Sequence, residues 1–413
     1  MNGDSVTCEG ARVNAPSAAE VESAHDSRPD RHHLETERKS KELSPRIYLP
    51  ALTSVRFFAA YAVICHHFLG QVLSGIGSQL LSSLGDASVS LFFILSGFVI
   101  TISNREIDGF LRKSKKDYLV SRFARILPQY IFAFFLAAPF FLLSTMAKHP
   151  PLTSWLPRVL LNGAAYLSML QAWVPKLANA WNGPAWSLSV EMFFYVMFLV
   201  LPLPQKGNLL RWLLLGLSLS IAPIVASQIP PLSASTFQAF WYFWPPMRLG
   251  EFMLGILMAQ AFRIQLFSDA WRAHSGLAAL AVFGCCLIGL AVLGPIGARI
   301  ATSVLLPPGL LLVAISGNRA ASLLRSRAMI ALGDASYGLY LIHVPLMPIY
   351  FWASGRKPFG HLAGVGDFLI YSVVAVGLSL AVNRWLEQPA ARAIKAKFGP
   401  GRRLFRSGWE KAS

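Results

Sequence analysis

Arg56 and His67 stand eleven residues apart in Arg-Phe-Phe-Ala-Ala-Tyr-Ala-Val-Ile-Cys-His-His, a strongly apolar stretch long enough to cross a bilayer. Ionisable side chains inside such a segment are costly and usually mark a site. On a helix, eleven steps of 100° close about three turns, so the two residues share a face about 16 Å apart along the axis. One helix can thus hold a fixed charge near one surface and a base deep in the membrane. The alternative for His67 is a histidine bonded to a neighbouring carbonyl. His66 points about 100° away from it and reads as structural.

Four more ionisable residues fall inside apolar runs: Glu191, Arg248, Glu251 and His343. They cannot all face lipid, and one interior cavity is expected to gather them. Arg248 and Glu251, at i and i+3, also suit a self-contained ion pair that locks helix packing. Glu191 reads either as a carboxylate that orients an imidazole or as one that bonds Ser187 one turn back. His343 reads as an acid/base group, an oxyanion donor or a helix-to-helix hydrogen bond.

The elements that must position these groups follow from composition. With 54% hydrophobic and 14% charged residues in 413, the chain is far too apolar for a soluble protein of its size. Apolar segments lie at about 49–72, 86–104, 125–146, 184–204, 209–228, 238–262, 276–294, 299–317, 329–352 and 366–386, each near the twenty residues that a spanning helix needs. The expected fold is all-α, a polytopic membrane protein of about ten transmembrane helices. A shorter segment at 155–173, with Asn162, Gly163 and Gln171, is expected to lie at the interface with Trp155, Trp173, Trp181 and Trp186.

The formal net charge of +17 resides in clusters between apolar segments, which fits cytoplasmic loops and argues against a nucleic-acid partner. Arg105, Arg112, Lys113, Lys115, Lys116 and Arg122 share one connection, and both ends of the chain are similarly basic. Both termini are therefore expected in the cytoplasm. Residues 1–46 lack an apolar core and read as a disordered cytoplasmic tail, 47–392 as the membrane domain and 393–413 as a basic cytoplasmic tail. Cys8, Cys65, Cys285 and Cys286 show no metal-ligand spacing and predict neither a metal site nor a disulfide framework.

These residues fall in motifs that resemble the acyltransferase-3 family of integral membrane O-acyltransferases. The likeness extends from about 48 to 392. It rests on Arg56 with His67, Ser-Leu-Phe-Phe-Ile-Leu-Ser-Gly-Phe-Val-Ile-Thr at 90–101, and Arg122-Phe-Ala-Arg125-Ile-Leu-Pro128-Gln-Tyr130. It continues through Trp186-Ser-Leu-Ser-Val-Glu191, Arg248-Leu-Gly-Glu251-Phe, Ser336-Tyr337-Gly-Leu-Tyr340-Leu-Ile-His343-Val-Pro345 and Glu387-Gln-Pro389. Seven motifs in series are specific where any one is weak. Thr53 stands where the family commonly has Asp, and Met192 where a second Glu often follows Glu191. The chain carries no appended periplasmic hydrolase-like domain, so action alone or with a separate periplasmic or polysaccharide-synthesis partner is expected.

The resemblance implies a bacterial inner-membrane enzyme that takes an acyl group, typically acetyl, from cytoplasmic acyl-coenzyme A to a hydroxyl of a cell-surface or exported glycan or lipid-linked saccharide. A small secondary metabolite such as a macrolide is the alternative acceptor. It implies arginines for the anionic donor, here Arg56, Arg122 and Arg125, which otherwise read as positive-inside anchors. His67 would take the hydroxyl proton, with Glu191 and His343 as further catalytic groups and no metal. Arg248, Glu251, Trp186, Ser187 and Tyr337 are substrate-binding or structural. Tyr337 and Tyr340 read chiefly as packing, and Ser96 and Gly97 as small residues that let helices approach closely. Outside enzymes, buried Arg, Glu and His would also suit a transporter of an anionic solute or glycan, though no inverted repeat is visible.

Overall fold

The computed structural model describes residues 47–399, apart from residues 71, 150, 231, 234, 267, 317–321 and 356–363. Cys8, the first 46 residues and the end of the basic tail lie outside the described residues.

Among the described residues there are thirteen α-helices and no strand beyond one isolated bridge. In order they are α1 (Pro50–Leu69), α2 (Ile76–Asn104), α3 (Lys115–Lys148), α4 (Leu152–Leu167), α5 (Trp186–Val200), α6 (Leu209–Ala226) and α7 (Ser235–Phe243). Then come α8 (Leu249–Arg263), α9 (Asp269–Val292), α10 (Gly294–Ile315), α11 (Arg327–Ala353), α12 (Val365–Val382) and α13 (Gln388–Phe398). Their starts obey local rules. Pro50 opens α1, where its missing N–H costs nothing, and Ser114 Oγ caps α3 by accepting from the Asp117 N–H at 3.1 Å.

Among the described residues eight helical segments are long and apolar enough to cross a membrane. They are Pro50–Leu69, Ile76–Asn104, Lys115–Lys148, Gly183–Val200, Lys206–Ala226, Arg272–Val292, Gly294–Ile315 and Val365–Phe398. Two of the ten expected spans are missing from this set. The segment expected at 238–262 is not one helix: α7 ends before Trp244, which sits at φ −65° and ψ 125°, and Pro245–Arg248 forms a 3-10 turn before α8. Pro245 and Pro246 lack N–H groups, and a residue before proline is driven out of the helical region, so the chain must break there. The second is α11, a continuous 27-residue helix whose apolar run is diluted by Asp334, Ser336 and His343. α4, at sixteen residues, is shorter than a spanning helix and also stands outside the eight.

Glycines set the closest crossings. A Cβ on Gly97 of α2 would fall 2.1 Å from Phe252 O of α8, and one on Gly255 of α8 would fall 2.0 Å from Ile94 O of α2. Only glycine lets these two backbones touch. On the other side of the fold, a Cβ on Gly333 of α11 would meet Thr53 O of α1 at 2.1 Å, which seats the two histidine-bearing helices against each other. Helix ends are joined by arginine. Arg263 donates to Thr101 O at 2.9 Å and Ile102 O at 3.0 Å, which ties the end of α8 to the last turn of α2.

Between α12 and α13 the helix passes through a π turn over Asn383–Glu387 and continues to Phe398, through the position where the sequence predicts the membrane domain to end. Cys65, Cys285 and Cys286 are free thiols.

Candidate active site

α1 carries the half-buried His67 and α11 the buried His343, and the two meet. Nε2 of His343 lies 3.2 Å from Nδ1 of His67. His67 Nδ1 also lies 3.0 Å from Val63 O, and His343 Nδ1 lies 3.3 Å from Leu339 O, each one turn back on its own helix. A carbonyl oxygen only accepts, so each Nδ1 must carry the hydrogen. His343 Nε2 is then a bare acceptor for the shared His67 Nδ1–H, and the lone pair of His67 resides on Nε2. Opposite tautomers would set lone pairs against both carbonyls. The two backbone carbonyls therefore favour the tautomer of His67 with its hydrogen on Nδ1 and its lone pair on Nε2. Tyr371 donates to His343 O and clamps α11 to α12 at that level.

Beside this pair lies a cleft with about 780 Å³ of space, its open mouth included. Three arginines, Arg56, Arg122 and Arg125, line it together with Glu191, while Phe92, Phe93 and Leu188 supply apolar wall. Among the described residues neither Arg56 nor Arg125 closes an ion pair or donates a hydrogen bond, and Arg122 Nε has no hydrogen-bond partner. The charges that act on Arg56 are those of Arg125, Glu191, Glu387 and Asp334. Such a cluster of unpaired guanidinium groups can receive a polyanion.

Glu191 has different partners from those expected. Its Oε1 accepts from Tyr195 at 2.8 Å and from Ser96 at 3.4 Å, so it bonds neither an imidazole nor Ser187. Tyr195 is one turn on along α5 and captures the carboxylate locally. The one Ser187 hydroxyl hydrogen instead has Tyr340 OH at 2.9 Å and Pro184 O at 3.0 Å as its acceptors, while Tyr340 donates to Pro184 O at 3.0 Å. Tyr340 therefore does more than pack: it stands in the cleft wall with its ring centroid 6.2 Å from that of His343. Tyr337 lines the same wall and donates to Ile126 O of α3 at 3.1 Å.

The expected single cavity is divided. His67 and His343 are not among the residues lining the arginine cleft, and Arg248 and Glu251 line a separate small pocket with Asp86, Ser90 and Arg299. Arg248 pairs with Glu251 at 3.2 Å and donates to Ser90 Oγ at 3.2 Å, with its guanidinium 5.3 Å from the Phe93 ring and 6.0 Å from that of Trp186. The break at Pro245 starts α8 with Arg248 at its N-cap and Glu251 in its first turn, both buried, and Arg248 Nε and Glu251 Oε2 have no hydrogen-bond partner among the described residues. Trp186, at the head of α5, is a wall between the two regions that touches Phe93, Tyr242 and Phe243.

One polar cluster has no counterpart in the sequence reading. Gln129 donates to Glu387, which also accepts from Asn383 Nδ2 at 2.7 Å, and Gln388 Nε2 donates to Asn383 Oδ1 at 3.0 Å. Asn383 and Glu387, four residues apart, share a face of the helix, and both lie in the π turn, a feature that recurs at functional sites. An acidic residue at the end of the last apolar run was the available signal. No group of three His, Cys, Asp or Glu side chains among the described residues is arranged to hold a metal ion.

Helices of membrane length, a histidine pair and an arginine-lined cleft describe a multi-pass membrane protein. A family model for the acyltransferase domain (acyltransferase-3) matches residues 49–384, and the chain belongs to that family of acyltransferases. Acyltransferase MdmB of Streptomyces mycarofaciens is 32% identical over 329 residues, covering 73% of this chain and 80% of that protein. Exopolysaccharide production protein ExoZ of Rhizobium meliloti is 26% identical over 328 residues, covering 76% of this chain and 92% of that protein. O-acetyltransferase OatA of Staphylococcus aureus is 30% identical over 171 residues, 39% of this chain but 26% of that longer protein. No solved structure matches the chain.

Proposed function

We propose that this membrane O-acyltransferase takes an acyl group, acetyl foremost, from cytoplasmic acyl-coenzyme A to a hydroxyl of an exported or cell-surface glycan, free or lipid-linked, in the inner membrane of a bacterium. The names of ExoZ and OatA favour an exported polysaccharide and an acetyl group respectively. A small secondary metabolite such as a macrolide is the second reading for the acceptor. The observation that carries the proposal is the arginine cleft set beside a base of defined tautomer.

In this reading α8 with its broken entry and α11 cross the bilayer as well as the eight apolar segments, giving ten crossings, with both termini in the cytoplasm. Residues 1–46 and 393–413 are then cytoplasmic tails around a membrane domain at 47–392. The sorting of basic residues puts Arg122 and Arg125, in the first turns of α3, at the cytoplasmic mouth of the cleft, where acyl-coenzyme A arrives. Arg56, Arg122 and Arg125 bind its phosphates, and the thioester extends along the apolar wall toward Tyr340.

The acceptor hydroxyl enters from the other side of the membrane. His67 Nε2 removes its proton as the oxygen attacks the thioester carbonyl carbon; the C–S bond breaks, and the proton returns to the leaving thiolate to give free coenzyme A. Neither histidine lines the cleft, so the Tyr340 ring must turn aside or the thioester must pass its edge. Glu191 holds Tyr195 and balances the arginines rather than serving the imidazole. A separate periplasmic or polysaccharide-synthesis partner delivers the glycan.

The test is release of free coenzyme A by the purified chain in nanodiscs, with and without a glycan extract from its host. Acceptor-dependent release from acetyl-coenzyme A is expected. A folded protein that moves glycan across vesicle membranes while the thioester stays intact would replace transfer with transport.

A further inference from the structure

A second cavity runs along a different face of α1 and α2 from the arginine cleft. It is a groove of about 1160 Å³, open side included, walled by α1, α2, α9 and α10. Val55, Ala59, Leu91, Ala279, Leu306 and Val313 are typical of its walls, which contain no ionisable side chain apart from Cys286. Its lips, Phe58, Leu280 and Leu287, are exposed. In α1, α2, α9 and α10, all spans of membrane length, an open apolar groove faces hydrocarbon rather than water.

Its length and its charge say what fills it. From Gly276 to Leu290 along α9 the groove covers fourteen residue steps, about 21 Å at 1.5 Å per step, against about 15 Å for half of a bilayer's hydrocarbon core. A whole acyl chain that enters from one interface therefore fits within it. The two ends differ. At one end Leu84 and Leu290 pack with Leu80 and Ala298, and the nearby Arg299 is engaged over the Tyr242 ring, with Asp86 beside it. At the other end the lining residues are Ser316 and Leu324, and the next residue, Arg325, is exposed and donates to Ser316 O. That bond fastens the guanidinium to the rim of the groove and leaves its other N–H groups for an anion. Arg272, one turn before Gly276, and exposed Arg327 add positive charge at the same end.

We propose that this groove binds an anionic phospholipid, one acyl chain lying between α1, α2, α9 and α10 and the phosphate resting on Arg325 with Arg272 and Arg327. Basic clusters at the ends of membrane helices select anionic headgroups in this way, and guanidinium matches phosphate in geometry as well as charge. The site is separate from acyl transfer: it is read out by lipid binding, and it stands or falls whether or not acyl-coenzyme A is the donor.

The experiment titrates the full chain, purified in mild detergent, with phosphatidylglycerol or phosphatidylcholine and counts bound lipid by native mass spectrometry. Phosphatidylglycerol is expected to bind at least about fivefold more tightly, the advantage of roughly one arginine near a headgroup. Arg325→Gln removes that preference, while Leu280→Trp with Leu287→Trp fills the groove from its lip and abolishes the adduct. Phe58→Trp, on the opposite lip, repeats the test should the double variant fail to fold. Equal binding of the two lipids by the native chain, or an adduct that survives groove filling in a folded variant, overturns the proposal.

Discussion

Nε2 of His343 stands 3.2 Å from Nδ1 of His67, although 276 residues separate them in the chain. In the proposed reaction this contact makes His343 a positioning residue for His67, because the hydrogen on Nδ1 leaves the lone pair on Nε2. His343→Phe should lower kcat roughly tenfold, about one hydrogen bond's contribution, and leave the KM for acyl-coenzyme A unchanged. His343→Asn, which retains an acceptor, should recover part of the loss. A kcat unaffected by His343→Phe would assign the residue to packing alone.

The three arginines in the cleft should act on binding rather than on turnover. Arg56→Gln or Arg125→Gln is expected to raise the KM for acyl-coenzyme A by about 10- to 100-fold, the value of a charge-assisted hydrogen bond, and to weaken its dependence on salt. Steady-state kinetics across an ionic-strength series measures both effects. If they are only positive-inside anchors, KM will not move and membrane topology will.

Arg248 and Glu251 form a buried ion pair at 3.2 Å, and removing one partner strands the other. Arg248→Met or Glu251→Gln alone should cost about 3–5 kcal/mol of stability, whereas the double variant should cost less than either. Thermal unfolding in detergent provides the comparison. Additive losses would show that the two side chains are held by different partners.

The crossing of α2 and α8 depends on two glycines whose missing side chains leave room for backbone carbonyls. Gly97→Leu or Gly255→Leu should destabilise the fold by about 1–3 kcal/mol or more, since backbone cannot yield as a side chain can. Gly207, which has open space around it, is the matched control, and Gly207→Leu should be neutral. Equal melting temperatures for all three variants would refute the tight crossing.

Much of this was legible in the residues because lipid enforces simple rules. Apolar runs near twenty residues had to be helices, and isolated Arg, Glu and His within them had to be buried, as Arg248 and His343 are. Pro245 and Pro246 were equally legible as a break, yet hydropathy summed over 238–262 concealed it. Which buried group meets which was not legible. Periodicity shows that Glu191 faces inward but not that Tyr195 captures it, and nothing local joins Gln129 to Glu387 across 258 residues. Those pairings are set by helix crossings, which in turn depend on contacts such as Gly333 against Thr53 that no single segment reveals.

The most direct measurement compares native chain and His67→Ala for acceptor-dependent release of coenzyme A, alongside equilibrium binding of acetyl-coenzyme A to each. With His67 as the base, the variant should bind the donor as the native chain does and turn over about 10²- to 10⁴-fold more slowly. Turnover at the native rate by a folded His67→Ala protein would contradict the account.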